Sequence, residues 1–66
     1  MSVSVDRAAY QAALSRLPDA HALALRLADA GVPDEEMCRQ LGIEPEGLEP
    51  LLDLARRKLR TELSLA

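Results

Sequence analysis

Prolines and glycines divide this 66-residue chain into four segments. Pro18 ends the first segment, because a residue that precedes a proline is pushed out of the helical region. Gly31 and Gly42 end the second and third, since glycine readily forms the left-handed cap that closes a helix, and Pro45 opens the last. The chain is rich in leucine and alanine and poor in β-branched residues. We therefore expect four α-helices and no sheet.

The predicted architecture is a single all-α domain over residues 1–66. It consists of an N-terminal helix at 4–16 and a core of three further helices at 18–63. Pro18 suits the first position of the second helix, where the N–H that proline lacks would have no partner. Pro50 lacks an N–H that a helix begun at Pro45 would use, so it should kink that helix or delay its start to about Gly47.

The buried face of the last helix is marked by a stripe of apolar residues at helical spacing. The stripe consists of Leu48, Leu52, Ala55, Leu59 and Leu63. On the short third helix, Met37 and Leu41 lie four residues apart and should face the same core. Tyr10, the only aromatic residue, is predicted to anchor the first helix, with its ring in the core and its hydroxyl at the edge.

The second helix is apolar nearly all round, a pattern typical of a helix that is central or that meets a second partner. Leu23, Leu25 and Leu27 cannot all face one core. The first helix can cover part of the excess. Leu23 and Leu25 are therefore the candidates on this helix for a contact with another protein or with a second copy of the chain.

A domain of this size buries only about 60% of the surface of its unfolded chain, so it is marginal without a staple or a partner. Cys38 is the only cysteine and His21 the only histidine, which leaves neither an internal disulfide nor a complete structural zinc site. We expect Cys38 to be buried and inert and His21 to lie at the rim. No cofactor, metal or enzymatic activity is expected.

The lack of a membrane span and of a signal peptide in the sequence predicts a cytoplasmic protein with no membrane partner. Its single thiol would be reduced there. No apolar run approaches the roughly 18 residues of a membrane span. The start of the chain lacks the basic and apolar blocks of a signal peptide, and Met1 favours a complete chain.

Charge is distributed unevenly along the chain. The net charge is −3, but residues 29–53 hold eight acids and a single base, Arg39, whereas residues 54–66 are net basic. The acids are Asp29, Asp34, Glu35, Glu36, Glu44, Glu46, Glu49 and Asp53. We call these residues the acid block, and we expect it to repel DNA and anionic membranes.

The order of motifs between residues 17 and 63 resembles the C-terminal helix-turn-helix of bacterial sigma factors, their region four. The family's pattern opens with Leu-Pro. A Gly then precedes an apolar residue, a cap and two acids. The pattern continues with a Leu-Gly-Ile turn and ends in a basic run. These motifs are Leu17-Pro18, Gly31-Val32-Pro33-Asp34-Glu35-Glu36, Leu41-Gly42-Ile43 and Ala55-Arg56-Arg57-Lys58-Leu59-Arg60. LuxR-type regulators are a weaker second match. The resemblance implies a small four-helix helix-turn-helix bundle from bacterial transcription, while another small helical bundle remains the alternative.

The chain departs from that family at the helix that would read DNA. Groove and phosphate contacts require Arg, Lys, Asn, Gln, Ser or Thr on its exposed side. The exposed positions are predicted to be Glu46, Glu49, Pro50, Asp53 and Leu54. In one interpretation Leu51 flanks the core and Leu54 is a tolerated exposed leucine. In the other they form a hydrophobic contact where DNA would otherwise lie, rimmed by Glu49 and Asp53.

The basic close of the last helix also has two interpretations. Arg56, Arg57, Lys58 and Arg60 are candidates for phosphate contacts. Alternatively they stabilise the end of the helix dipole and pair with acids one turn away, Arg56 with Asp53 and Lys58 with Glu62.

Three functions follow from these patterns. The first is a protein-interaction module that binds RNA polymerase, a sigma factor or itself, since the family resembled here docks on the polymerase β-flap. The second is a dimeric, sequence-specific DNA-binding regulator. The third is a structural oligomerisation subunit within a larger assembly.

Overall fold

The computed structural model describes residues 7–65, which form an all-helical domain. The elements are α1 (Arg7–Ser15), α2 (Asp19–Asp29), α3 (Asp34–Leu41), a 3₁₀ turn (Pro45–Gly47) and α4 (Leu48–Leu65). No strand occurs in this part of the chain. The all-α class and the four helices are therefore confirmed. The predicted start of the first helix, at residue 4, lies outside the described residues.

The break between α1 and α2 is centred on Leu17 and Pro18, as predicted. Leu17 is buried, and its N–H donates to the carbonyl of Leu14 at 3.1 Å. Pro18 has φ −54° and ψ 147°, so it stands just before the helix as its N-cap. The predicted helical position for Pro18 is wrong by one residue, because its carbonyl accepts the first helical hydrogen bond, from Ala22 at 3.0 Å.

Glycines in the left-handed conformation end α2 and α3. Gly31 has φ +78° and Gly42 has φ +69°. After α2, the Val32 N–H donates to the Leu27 carbonyl and the Gly31 N–H to the Ala28 carbonyl, the paired bonds of a Schellman motif. Both glycine caps were predicted from the sequence, and they fix where the chain turns.

The start of α4 follows the prediction made from Pro50. The chain forms a 3₁₀ turn over Pro45–Gly47, and the α-helix begins at Leu48. Pro50 then lies in the first turn of α4, where no N–H is required for an intrahelical bond. At its other end α4 reaches Leu65, two residues beyond the predicted end.

Helix α2 is the central element, packing against α4, α3 and α1. This position explains its nearly all-round apolar character, since three neighbours cover it. The core contains the predicted α4 stripe, with Leu48, Leu52, Ala55 and Leu59 buried and Leu63 partly buried, together with Met37 and Cys38 from α3. Leu14 of α1 is 1% exposed. Tyr10 is half-buried against this core, as predicted.

None of the helices within residues 7–65 is long and apolar enough to cross a membrane.

Candidate protein-interaction surface

The side of α4 that faces away from the core carries both charge signs in a fixed order. Glu49 and Asp53 occupy its first half, and Arg56 and Arg60 its second, all four exposed. Their spacings of four, three and four residues place them along one flank of the helix. We call these four residues the α4 charge stripe. Its acidic half comes first, as the sequence predicted.

Leu54 lies on the outer side of α4, at the middle of the stripe's length. It is 39% exposed, whereas Leu51 is half-buried and packs against the core. Leu51 therefore takes the core-flanking position, whereas both interpretations require Leu54 to be exposed. Leu51 flanks the core, and Leu54 presents an apolar side chain next to Asp53, where a partner can cover it.

The two candidate leucines of α2 also differ in their placement. Leu23 is 38% exposed and is accessible to a partner. Leu25 is 4% exposed and belongs to the protein's own core. The prediction of Leu25 as an interface residue is wrong, because α2 is central and its neighbours already cover that side chain.

The basic residues of α4 are exposed, and one of them pairs with the acid block. Arg56, Arg57, Lys58 and Arg60 all face solvent. Arg57 lies 3.8 Å from Asp53, one turn earlier. The sequence had predicted that Arg56 would form this pair. The predicted pair of Lys58 with Glu62 is also absent, and Glu62 lies instead 4.0 Å from Arg16, the residue that follows α1. Exposed pairs of this kind contribute at most about 1 kcal/mol.

A groove of about 470 Å³ separates the start of α3 from the start of α4. Buried Cys38 and Leu48 form its apolar floor, and acids stand along its edges. It is lined by Asp34, Glu35, Cys38, Pro45, Leu48 and Glu49. Sequence reasoning did not find this groove, although the acid block marked the region. Cavity shape depends on how α3 meets the 3₁₀ turn, which no residue pattern specifies.

The cysteine, the histidine and the acids of α3 are further side chains of the kinds that serve as ligands or reactive groups. The buried thiol of Cys38 is unpaired, and Glu36 hydrogen-bonds Arg39 and Gln40 along the surface of α3. His21 is half-buried, and its Nδ1 atom lies buried without a hydrogen-bond partner in the described part of the chain. Among residues 7–65, no group of three or more His, Cys, Asp or Glu side chains is placed to hold a metal ion.

Comparison with known proteins does not assign the chain to a family. No protein-family model matches it, and neither a curated protein nor a solved structure matches it.

Proposed function

We propose that this protein is a helix-turn-helix-like interaction module of the bacterial transcription machinery that acts through protein contacts made by α4. The observation that carries the proposal is the outer side of the first half of α4. It presents Glu46 just before the helix, then Glu49, Asp53 and the apolar Leu54, all exposed. Carboxylates at these positions disfavour phosphate contact, and an exposed leucine among them favours a protein partner.

The helix-turn-helix part of the proposal is supported by the connection between α3 and α4. An eight-residue helix ends at left-handed Gly42, and the longer α4 follows after a 3₁₀ turn. Half-buried Ile43 packs against the core beside this turn. Its N–H donates to the Cys38 carbonyl at 3.1 Å, which fixes the direction in which the chain leaves α3.

The partner class is proposed from the sequence resemblance to sigma region four. RNA polymerase and sigma factors are the first candidates, and a second copy of the chain is the third. In each case Leu54 would be covered, with Leu23 available on α2 as a separate apolar contact.

A DNA-binding regulator is the second candidate function, and it rests on a different observation. Arg56, Arg57, Lys58 and Arg60 are all exposed on the second half of α4, where they are free to approach phosphates. They lie beyond the acidic first half, which would face the same duplex. A structural oligomerisation subunit is a third candidate, favoured by the small core.

Binding to purified bacterial core RNA polymerase and to purified sigma factors tests the proposal. The labelled protein should bind one of them at moderate salt, and Leu54→Glu should weaken binding at least tenfold. Leu65→Glu is the matched control, since Leu65 lies on the same helix and is 75% exposed. Equal binding by wild type and Leu54→Glu would overturn the assignment of this surface.

A further inference from the structure

The α4 charge stripe has an internal symmetry. The stripe is symmetric in the sequence about the midpoint between residues 54 and 55. Its outer members are Glu49 and Arg60, and its inner members are Asp53 and Arg56. Each acid is therefore as far before this midpoint as its basic counterpart is after it. Leu54 lies at the same level along the helix and is exposed, and it faces about 130° around the helix from the stripe.

Such a stripe is complementary to itself when a second helix runs in the opposite direction. In an antiparallel pair related by a two-fold axis, the same flank of each helix meets the same flank of the other. With the axis at the midpoint, Glu49 of one copy lies level with Arg60 of the other, and Asp53 with Arg56. A parallel pair aligned in register would place the two Glu49 residues level with each other, and likewise the two Arg60 residues.

We propose that the occupant of the α4 outer side is a second copy of this chain, bound through an antiparallel α4–α4 contact with the charge stripe along one edge and Leu54 along the other. This inference rests on the proposed function, in which α4 makes protein contacts, and it names one partner.

The charged side chains that would meet across this contact are largely without ion-pair partners inside the described part of one copy of the chain. Within residues 7–65, neither Glu49, Arg56 nor Arg60 forms an ion pair, and Asp53 has only its 3.8 Å contact with Arg57. The Leu54 side chains of the two copies would meet on the edge of the contact opposite the stripe, level with the axis, and supply its apolar part. Because the ion pairs of this contact would remain exposed to solvent, the dimer should be weak, reversible and sensitive to salt.

Sedimentation equilibrium of the full chain tests this arrangement directly. The wild type should form dimers, and no larger species, whose dissociation constant rises at least fivefold between about 0.05 M and 0.2 M salt. Glu49→Arg and Arg60→Glu should each weaken the dimer at least tenfold, because each creates two like-charge contacts. The double variant E49R/R60E should regain most of the affinity. In a parallel pair each single reversal would only exchange one like-charge contact for another, so the single variants would not weaken the dimer selectively and the double variant would show no recovery.

Further measurements show whether a loss of dimer comes from unfolding of the variant or from a different interface. Far-ultraviolet circular dichroism shows whether each variant keeps its helices. An equimolar mixture of folded E49R and R60E should form a heterodimer, because both contacts are then complementary. Leu54→Glu should abolish dimers, whereas Leu23→Glu, with a leucine of nearly equal exposure on α2, should not.

The outcomes separate this inference from the proposed function. A chain that is monomeric at all concentrations at low salt, or a dimer indifferent to reversal at Glu49 and Arg60, overturns the antiparallel pair. Either result leaves the proposed function standing if polymerase or sigma factor binding still depends on Leu54. A dimer with the expected charge pattern but no such binding supports the pair and removes the transcription partner.

Discussion

The hydroxyl of Tyr10 donates a hydrogen bond to the carboxylate of Asp29, nineteen residues further along the chain. This bond joins α1 to the last residue of α2. The ring of Tyr10 meanwhile packs against the core. The only aromatic residue of the protein therefore holds the N-terminal helix by both its apolar and its polar end.

Removing this bond should destabilise the protein without changing its fold. We expect Tyr10→Phe to lower the free energy of unfolding by about 1 kcal/mol. A double-mutant cycle with Asp29→Ala, measured by urea denaturation, isolates the contact. Additive effects of the two substitutions would show that the bond contributes nothing.

The same contact predicts how Tyr10 ionises. Burial, with the hydrogen bond to Asp29 and its negative charge, raises the pKa of Tyr10 to about 12. With a single tyrosine, tyrosinate absorbance reports this group alone, so its midpoint should lie well above 10 in the folded protein and near 10 in denaturant. An unshifted midpoint in the folded chain would contradict the contact.

A raised pKa in the folded state also sets the sign of a pH effect on stability. The neutral phenol is favoured by folding, so its contribution is complete below pH 10 and is lost as the pH rises towards 12. Denaturation at a series of pH values should show this loss in the wild type. It should be smaller in Tyr10→Phe, which has no phenol to ionise.

Glycine should be required at Gly42 and dispensable at Gly47. An added Cβ would meet no atom within 4 Å at either position, but only Gly42 has a positive φ. Gly42→Ala should therefore cost about 1 kcal/mol through backbone strain alone, whereas Gly47→Ala should be neutral or slightly stabilising. Thermal denaturation of the two variants compares them, and equal melting temperatures would contradict the left-handed turn.

The core should tolerate little loss of volume in a domain of this size. Leu14→Ala removes the largest fully buried side chain and should cost about 3 kcal/mol. Since small domains rarely exceed about 3–5 kcal/mol of stability, this variant should keep at most about 2 kcal/mol and should melt at a much lower temperature. Leu65→Ala, at a 75% exposed position, is the control and should change stability by less than about 0.5 kcal/mol. Thermal denaturation followed by circular dichroism distinguishes the two.

The fold was largely predictable because local rules determine where each helix ends. Gly31, Gly42 and Pro18 mark chain reversals through backbone conformation alone, and the α4 stripe identifies its own buried face. Leu25 could not be assigned in the same way. A helix apolar on several sides can be central or shared with a partner, and only its packing against three neighbours decides between them.

The candidate surface was predictable in charge but not in detail. The acid block is visible in the sequence, and so is the change of sign within α4. The exposure of Leu54 relative to Leu51 depends on the exact rotation of α4 against α2. The groove beside Cys38 depends on the angle between elements, and the choice of Arg57 over Arg56 by Asp53 depends on side-chain geometry.

A titration of fluorescently labelled duplex DNA with the protein, at about 0.05 M salt, decides whether α4 acts through protein contacts or through DNA. We expect no change in anisotropy at protein concentrations where light scattering of the same sample already detects self-association. Tight binding that weakens steeply as salt is raised to about 0.2 M would contradict this expectation. The basic end of α4, rather than its acidic first half and Leu54, would then be the working surface.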